Sequence, residues 1–317
     1  MKILVTPTSM QPGKKSAALD RLSAYCDNLV FNPTGKPLAG EQLIDLLKDC
    51  DGYLAGLDTV DETVLKSCPN LKAISRYGAG YDRVDTKTAA DLGIPVTNTP
   101  GANAQAVAEL AFGMLLCLAR DIPYLHNETI KGKWVRSSGL ELFGKTIGII
   151  GLGAIGKKLA NCCEGFQMKV LAYDPFIQED YCREHHITPV SLDELLAQSD
   201  FITLHLPLLD STWHLIDAAA IEKMKDGAIL VNASRGGIID EEAAYQALIS
   251  KKLGGLGLDA FEKEPPEASP LFTLDNVVAT PHAGAHTSEA TQAMADMAVD
   301  NLIDLLEGKE CRYIVNK

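Results

Sequence analysis

Lys145-Thr-Ile-Gly-Ile-Ile-Gly-Leu-Gly-Ala-Ile-Gly156 is the stretch on which the fold turns. Its first half, with Ile147, Ile149 and Ile150, has the β-branched, apolar character of a buried strand. The strand reading stops at Gly151, and a helix-like segment through Leu159 and Ala160 follows. Three glycines at G-x-G-x-x-G spacing then have separate mechanical tasks. Gly151 permits the tight turn, Gly153 lets backbone approach a pyrophosphate, and Gly156 lets the new helix lie close to the sheet. The first amides of that helix, at Ala154, Ile155 and Gly156, favour negative charge. A second strand, Met168-Lys-Val-Leu-Ala-Tyr-Asp174, ends in an acid 18 residues beyond Gly156. An acid there accepts hydrogen bonds from an adenosine ribose. The stretch therefore predicts a βαβ dinucleotide site.

The rest of the chain bounds that prediction. It has 317 residues, 46% hydrophobic and 22% charged, which suits a globular protein of about two domains. A net charge of −13 argues against nucleic acid or an anionic membrane as partner, since either would require a basic face. No run reaches the ~20 apolar residues of a membrane span, and Met1–Pro7 is too short for a signal-peptide core. Eight cysteines include no C-x-x-C pair and no zinc spacing, so no metal is expected and a reducing, cytoplasmic setting is.

Along the chain, Lys2–Thr6, Gly52–Ala55, Leu71–Ser75 and Ile94–Thr97 read as short strands, with helical periodicity at Ala39–Lys48 and Thr63–Ser67. The alternation predicts α/β architecture. Arg76-Tyr-Gly-Ala-Gly-Tyr-Asp82 follows a strand and is either an amide nest for an anion or a flexible turn. After Asn98-Thr-Pro-Gly101, residues Ala104–Arg120 read as one long helix, apolar on more than one stripe. Burial inside a domain or in a dimer contact would both produce that pattern. Trp134 falls in a loop that either meets a partner subunit or packs on its own surface. Phe201–Leu206, Ala228–Asn232, Gly257–Ala260 and Val277–Thr280 read as interior parallel strands, and Ser288–Glu307 as a helix.

Ligands of such sheets gather at the carboxyl ends of strands, where Arg235, Glu264 and His282 fall. Hydride transfer to a 2-keto acid requires three groups of these kinds. A guanidinium holds the carboxylate in a fork and polarises the carbonyl. A histidine gives or takes the proton, and a carboxylate behind it fixes the tautomer and favours the imidazolium.

Five stretches make a resemblance specific: Asn98–Glu109, Gly144–Gly156, Val231–Asp240, Gly257–Pro266 and Thr280–Gly284. In content and order they resemble the D-isomer-specific 2-hydroxyacid dehydrogenase family, and within it the phosphoglycerate dehydrogenase branch. The resemblance implies catalytic roles for Arg235, Glu264 and His282. It implies NAD contacts at Gly151, Gly153, Ala154, Ile155, Gly156, Asp174, Leu206, Pro207, Ala233, Asp259, His282, Ala283 and Gly284. Gly78, Ala79 and Gly80 match the stretch whose amides hold the substrate carboxylate. It also implies two doubly wound parallel-sheet domains, a Rossmann NAD-binding domain (residues 99–285) inserted in a flavodoxin-like substrate domain (1–98 with 286–317). The active site is expected in a cleft that closes to exclude water. A homodimer pairing through the long helix follows from the same likeness. Since the sequence ends at Lys317, it implies the short form, without a C-terminal regulatory domain or serine feedback through one.

Asp174, with no Arg or Lys at positions 175–177, predicts NAD over NADP. Substrate choice is less determined. The branch usually carries an Arg near the substrate phosphate, whereas Gly52-Tyr-Leu-Ala-Gly-Leu-Asp58 has no base and ends in an acid. A phosphate beside an unpaired Asp58 would be poorly stabilised, unless Arg76 or Arg136 supplied charge. The expectation is a D-2-hydroxy acid or 2-keto acid, with 3-phosphoglycerate, hydroxypyruvate and glyoxylate as candidates. An NAD-sensing corepressor-like scaffold is the alternative of another class, and formate dehydrogenation a third reading that would require a different first-domain loop.

Overall fold

The structure, a computed structural model, describes residues 1–14 and 16–317. It divides into two compact units, Met1–Asn103 with His286–Lys317, and Ala104–Ala285. Thr99–Asn103 thus group with the first unit, although the sequence reading opens the second domain at residue 99.

The first unit runs β1 (Ile3–Val5), α1 (Ala17–Tyr25), β2 (Leu29–Phe31), α2 (Gly40–Leu47), β3 (Gly52–Ala55), α3 (Glu62–Lys66), β4 (Ala73–Arg76), α4 (Thr86–Asp91) and β5 (Val96–Thr97). Its strands form a five-stranded sheet in the order β2-β1-β3-β4-β5, parallel throughout. That is the flavodoxin-like order. Alternate residues of one strand serve opposite cores. Leu4 packs with Leu43, Leu47 and Ile74 on one face, while Ile3 and Val5 pack with Leu22 and Leu54 on the other. Burial on both faces explains why these strands read as continuous apolar runs.

The second unit continues with α5 (Ala104–Ala119), α6 (Ile122–Ile130), β6 (Thr146–Ile150), α7 (Ala154–Glu164), β7 (Lys169–Tyr173), α8 (Glu179–Glu184), β8 (Thr188–Pro189), α9 (Leu192–Gln198), β9 (Phe201–Leu204), α10 (Ala218–Lys223), β10 (Ala228–Asn232), α11 (Glu241–Ile249), β11 (Leu253–Leu258) and β12 (Val277–Ala279). Its seven-stranded sheet has the order β12-β11-β10-β9-β6-β7-β8, again all parallel. Counted from β6, this is the Rossmann 3-2-1-4-5-6 arrangement with one strand added. The switch point lies between β6 and β9, beside the Gly151 turn.

Helix α5 owes its all-round apolar surface partly to burial within this unit. Ala108, Ala111 and Leu115 are fully buried, and the helix lies on β10 and β11. Glycines in β11 permit the approach. A Cβ on Gly255 would meet Leu118 at 3.1 Å, and one on Gly257 would meet Met114 at 3.3 Å. The chain then returns to the first unit through α12 (Ser288–Leu306), capped by the Thr287 hydroxyl. Ala295, Ala298, Val299 and Leu302 cover the sheet face that carries Ile3, Val5, Leu54 and Ala73.

One expectation is corrected here. Asp58 is not an unpaired acid facing a ligand but is buried at 2% exposure. It accepts from Leu38 N (2.6 Å), Tyr53 Oη (2.8 Å), Gly56 N (3.1 Å) and the Thr6 hydroxyl. Burial and the Asp58 charge push the Tyr53 phenol well above its ordinary range, so it remains a donor. Asp58→Ala would leave these buried donors without their acceptor. It should destabilise the protein by about 3 kcal/mol or more, read as a lower urea midpoint, and an unchanged midpoint would refute the staple.

Candidate active site

The β6–α7 turn builds the first part of the site. Gly151 has φ +97°, and a Cβ on it would lie 2.5 Å from the His205 carbonyl. A Cβ on Gly156 would overlap the Gly151 carbonyl, so the helix can start only against a glycine. Gly153 behaves differently, because a Cβ there would meet nothing within 4 Å. Its backbone borders open space, as close approach to a pyrophosphate requires. Gly153 caps α7 with no side-chain hydrogen bond, leaving the first-turn amides for a ligand. The glycine turn therefore fits a dinucleotide.

Asp174 follows β7 and accepts from Leu152 N (2.7 Å) and Phe176 N (2.8 Å). It holds the glycine turn, a task the spacing alone did not reveal. His205, just before Leu206 and Pro207, was also missed from sequence. Its ring is buried beside Thr203 Oγ1 (3.0 Å), and burial pushes its pKa down to about 3. It stays neutral, and its backbone carbonyl lies against Gly151.

Arg235 stands beyond β10 on a loop shaped by buried Asn232. The Asn232 Oδ1 accepts from Ser234 N (3.0 Å) and Ser234 Oγ (2.7 Å), and its Nδ2 donates to Arg235 O (2.7 Å). Such a side-chain turn is what Asn after a strand can make. Ala233 lies within this turn, and Arg235 Nη1 donates to Ser234 O (2.8 Å). A Cβ on Gly236 would overlap the Phe261 carbonyl, so the Arg235 loop and the segment leading to Glu264 touch backbone to backbone. His214 ties the same two loops. Its N–H donates to Gly237 O (2.7 Å), its Nε2 lies 3.0 Å from Glu262 Oε1, and Trp213 stacks on its ring. No sequence signal pointed to this clasp.

Glu264 Oε1 lies 2.9 Å from His282 Nδ1 and also accepts from Phe261 N (3.3 Å). The carboxylate assigns the hydrogen to Nδ1, which leaves Nε2 to exchange a proton with a ligand. His282 has φ +51°, an uncommon conformation for a non-glycine residue. The following segment is held by Asp259, which is buried and accepts from Thr280 Oγ1 (2.6 Å), Ala283 N (2.7 Å) and Gly284 N (2.9 Å). Asp259 thus shapes the His282 turn with most of its acceptor capacity. In the other unit, Gly78 has φ +132° and lies over the buried Arg76, whose Nη1 a Cβ on Gly78 would meet at 2.8 Å. Among the described residues no group of three or more His, Cys, Asp or Glu could hold a metal ion, and all eight cysteines are free thiols.

Residues 112–284 match the family model for the D-isomer specific 2-hydroxyacid dehydrogenase, NAD binding domain. A D-3-phosphoglycerate dehydrogenase of Methanocaldococcus jannaschii is 41% identical over 283 residues, 88% of this chain but only 54% of that longer protein. A hydroxypyruvate reductase of Thermotoga maritima is 43% identical over 275 residues, covering 85% of this chain and 89% of the relative. The crystal structure of D-lactate dehydrogenase from Aquifex aeolicus, complexed with NAD and lactic acid, superposes with a TM-score of 0.86 at 29% identity, over 100% of this chain and 99% of that one.

The depressed pKa of His205 has a pH consequence. The unfolded chain binds a proton near pH 6.5 that the folded one refuses until about pH 3. Stability from this ring is present above pH 6.5 and is lost as pH falls, by up to roughly 1.4 kcal/mol per pH unit. His205→Gln should flatten that slope in denaturant titrations between pH 6.5 and 4.5; parallel slopes would contradict the assignment.

Proposed function

Because the chain belongs to the D-isomer specific 2-hydroxyacid dehydrogenase family, we propose that it interconverts a D-2-hydroxy acid and its 2-keto acid with NAD. The 2.9 Å pairing of His282 with Glu264, on the unit that carries the glycine turn, is the observation that supports this most directly. NAD supplies or accepts the hydride at C2. In the reducing direction His282 Nε2 gives its proton to the carbonyl oxygen as that oxygen gains charge, and ends neutral. In the oxidising direction it takes the hydroxyl proton, and Glu264 stabilises the imidazolium that forms. Arg235 holds the carboxylate and polarises the carbonyl. Gly78, Ala79 and Gly80 serve as a further carboxylate-binding loop. Ala154, Ile155, Asp174, Leu206, Pro207, Ala233, Ala283 and Gly284 are assigned to the cofactor. Asp174 selects NAD over NADP.

An unphosphorylated acid of the size of hydroxypyruvate or glyoxylate is the proposed substrate. Gly52–Asp58 offers a phosphate no cation, Asp58 is turned inward, and Arg76 is buried. The phosphorylated acid is the second reading, favoured by the 41% identity to the Methanocaldococcus relative and served by Arg76 or Arg136. Initial rates with NADH and NADPH on 3-phosphohydroxypyruvate, hydroxypyruvate, glyoxylate and pyruvate should favour hydroxypyruvate or glyoxylate with NADH. Preference for the phosphorylated acid would reverse the substrate assignment. Arg235→Ala and His282→Ala should each lower turnover by a hundredfold or more, an order-of-magnitude figure for such groups, with NADH binding kept. Wild-type turnover in both would sink the catalytic roles.

The homodimer is also part of this proposal. Ile130, Trp134, Leu140 and Phe143 are exposed around a loop that follows α6, with Trp134 at 85%. A partner subunit covering them would remove these apolar side chains from water. Light scattering should show a dimer that Trp134→Glu with Phe143→Glu converts to monomer; an undisturbed dimer would exclude this surface. The free thiols suit a reducing, cytoplasmic setting.

A further inference from the structure

Asn98-Thr-Pro-Gly101 stood out in the sequence as punctuation, and the catalytic roles above leave it unused. In the first unit it holds the Gly78–Gly80 loop from below. Asn98 is buried, and its Nδ2 donates to Ala79 O at 2.6 Å. Thr99 N donates to Gly78 O (3.1 Å), and Gly78 N donates to the Thr99 hydroxyl (3.0 Å). Buried Asn301 of α12 steadies Asn98 in turn, its Nδ2 donating to Asn98 O at 3.0 Å. The Cys311 thiol closes the relay at 3.5 Å from Asn301 Oδ1.

Peptide planarity turns this into a statement about ligand binding. In a trans peptide, a carbonyl and the following N–H point in opposite directions. The carbonyls of Gly78 and Ala79 are both held toward β5, so the N–H groups of Ala79 and Gly80 must point away from it. Among the described residues those two N–H groups donate to nothing. Two consecutive amides facing one way are an anion nest.

We propose that Asn98 is a positioning residue that, with Thr99, orients the Ala79 and Gly80 amides toward the substrate carboxylate and so sets affinity for the acid end of the substrate. It rests on the reading of Gly78–Gly80 as a carboxylate loop. Asn98 does not touch the substrate; it acts through the 79–80 peptide plane. The relay through Asn301 makes α12 part of the same device.

The test is steady-state kinetics of the full chain with NADH and hydroxypyruvate or glyoxylate, whichever gives the higher rate, expressed per NADH-binding site from fluorescence titration. Asn98→Ala should raise KM for the acid by about tenfold, the loss of one buried hydrogen bond, with NADH affinity unchanged. Asn301→Ala should raise it less. Asn98→Asp should be worse than alanine at neutral pH, since a carboxylate would face the Ala79 carbonyl, and should recover as pH falls and the protonated acid donates again. Because His282 handles the reaction's proton, wild-type KM is measured at each pH and the recovery is read as the ratio of the two. A merely structural role would leave that ratio unchanged with pH. Gly80→Pro, which deletes one outward N–H, separates the two ideas. If it raises KM while Asn98→Ala and Asn98→Asp do not, the positioning role is overturned and the loop reading stands. If Gly80→Pro also leaves KM unchanged, both fall.

Discussion

A parallel sheet covered by helices on both faces leaves only its strand ends open to a ligand, and both units of this chain obey that constraint. Gly151, Asp174, Leu206, Arg235, Glu264 and His282 all lie just beyond the carboxyl ends of strands in the second unit. Gly78–Gly80 and Asn98 do so in the first. The apolar runs of the strands place nothing reactive along their length, since both faces are spent on packing. Polar chemistry is thereby concentrated in the loops, and the precision of the site becomes a question of how those loops are held.

Three buried or half-buried aspartates answer much of it. Asp58 accepts from the amides of Leu38 and Gly56, Asp174 from those of Leu152 and Phe176, and Asp259 from those of Ala283 and Gly284. Each follows a parallel strand, and each binds backbone outside its own strand. A carboxylate suits this task because its two oxygens accept several donors and a charge strengthens each bond. Part of the excess of acid in this chain is therefore internal scaffolding rather than surface charge.

This also explains what the sequence disclosed and what it hid. The glycine turn was legible because G-x-G-x-x-G spacing encodes backbone geometry directly, and β6, β7 and β10 were legible as β-branched runs. Strand β11 begins at Leu253, earlier than its apolar pattern suggests, because Gly254 and Gly255 interrupt that pattern. Gly255 is there for α5, a contact distant in sequence. Strand β2 is a three-residue edge with too little length to show a period. Asp58 was misread as unpaired because its partners, Thr6 and Leu38, come from other loops. His205, His214 and Asn98 were missed for the same reason. Their significance lies in which main-chain groups they meet, and a residue's type does not announce that.

The return of α12 to the first unit has a consequence for how the chain is made. Residues Ile3, Val5, Leu54 and Ala73 leave the ribosome before the second unit, yet Ala295 to Leu302, which complete their cover, leave it after that unit. Throughout synthesis of the intervening unit, that face of the first sheet has only α1, through Leu19 and Leu22, to cover it. The second unit has every strand and helix of its own core by Ala285 and can condense while the first waits. The discontinuous unit is thus the later of the two to finish. During that interval its half-covered apolar face is where a nascent-chain chaperone would bind and where aggregation would begin.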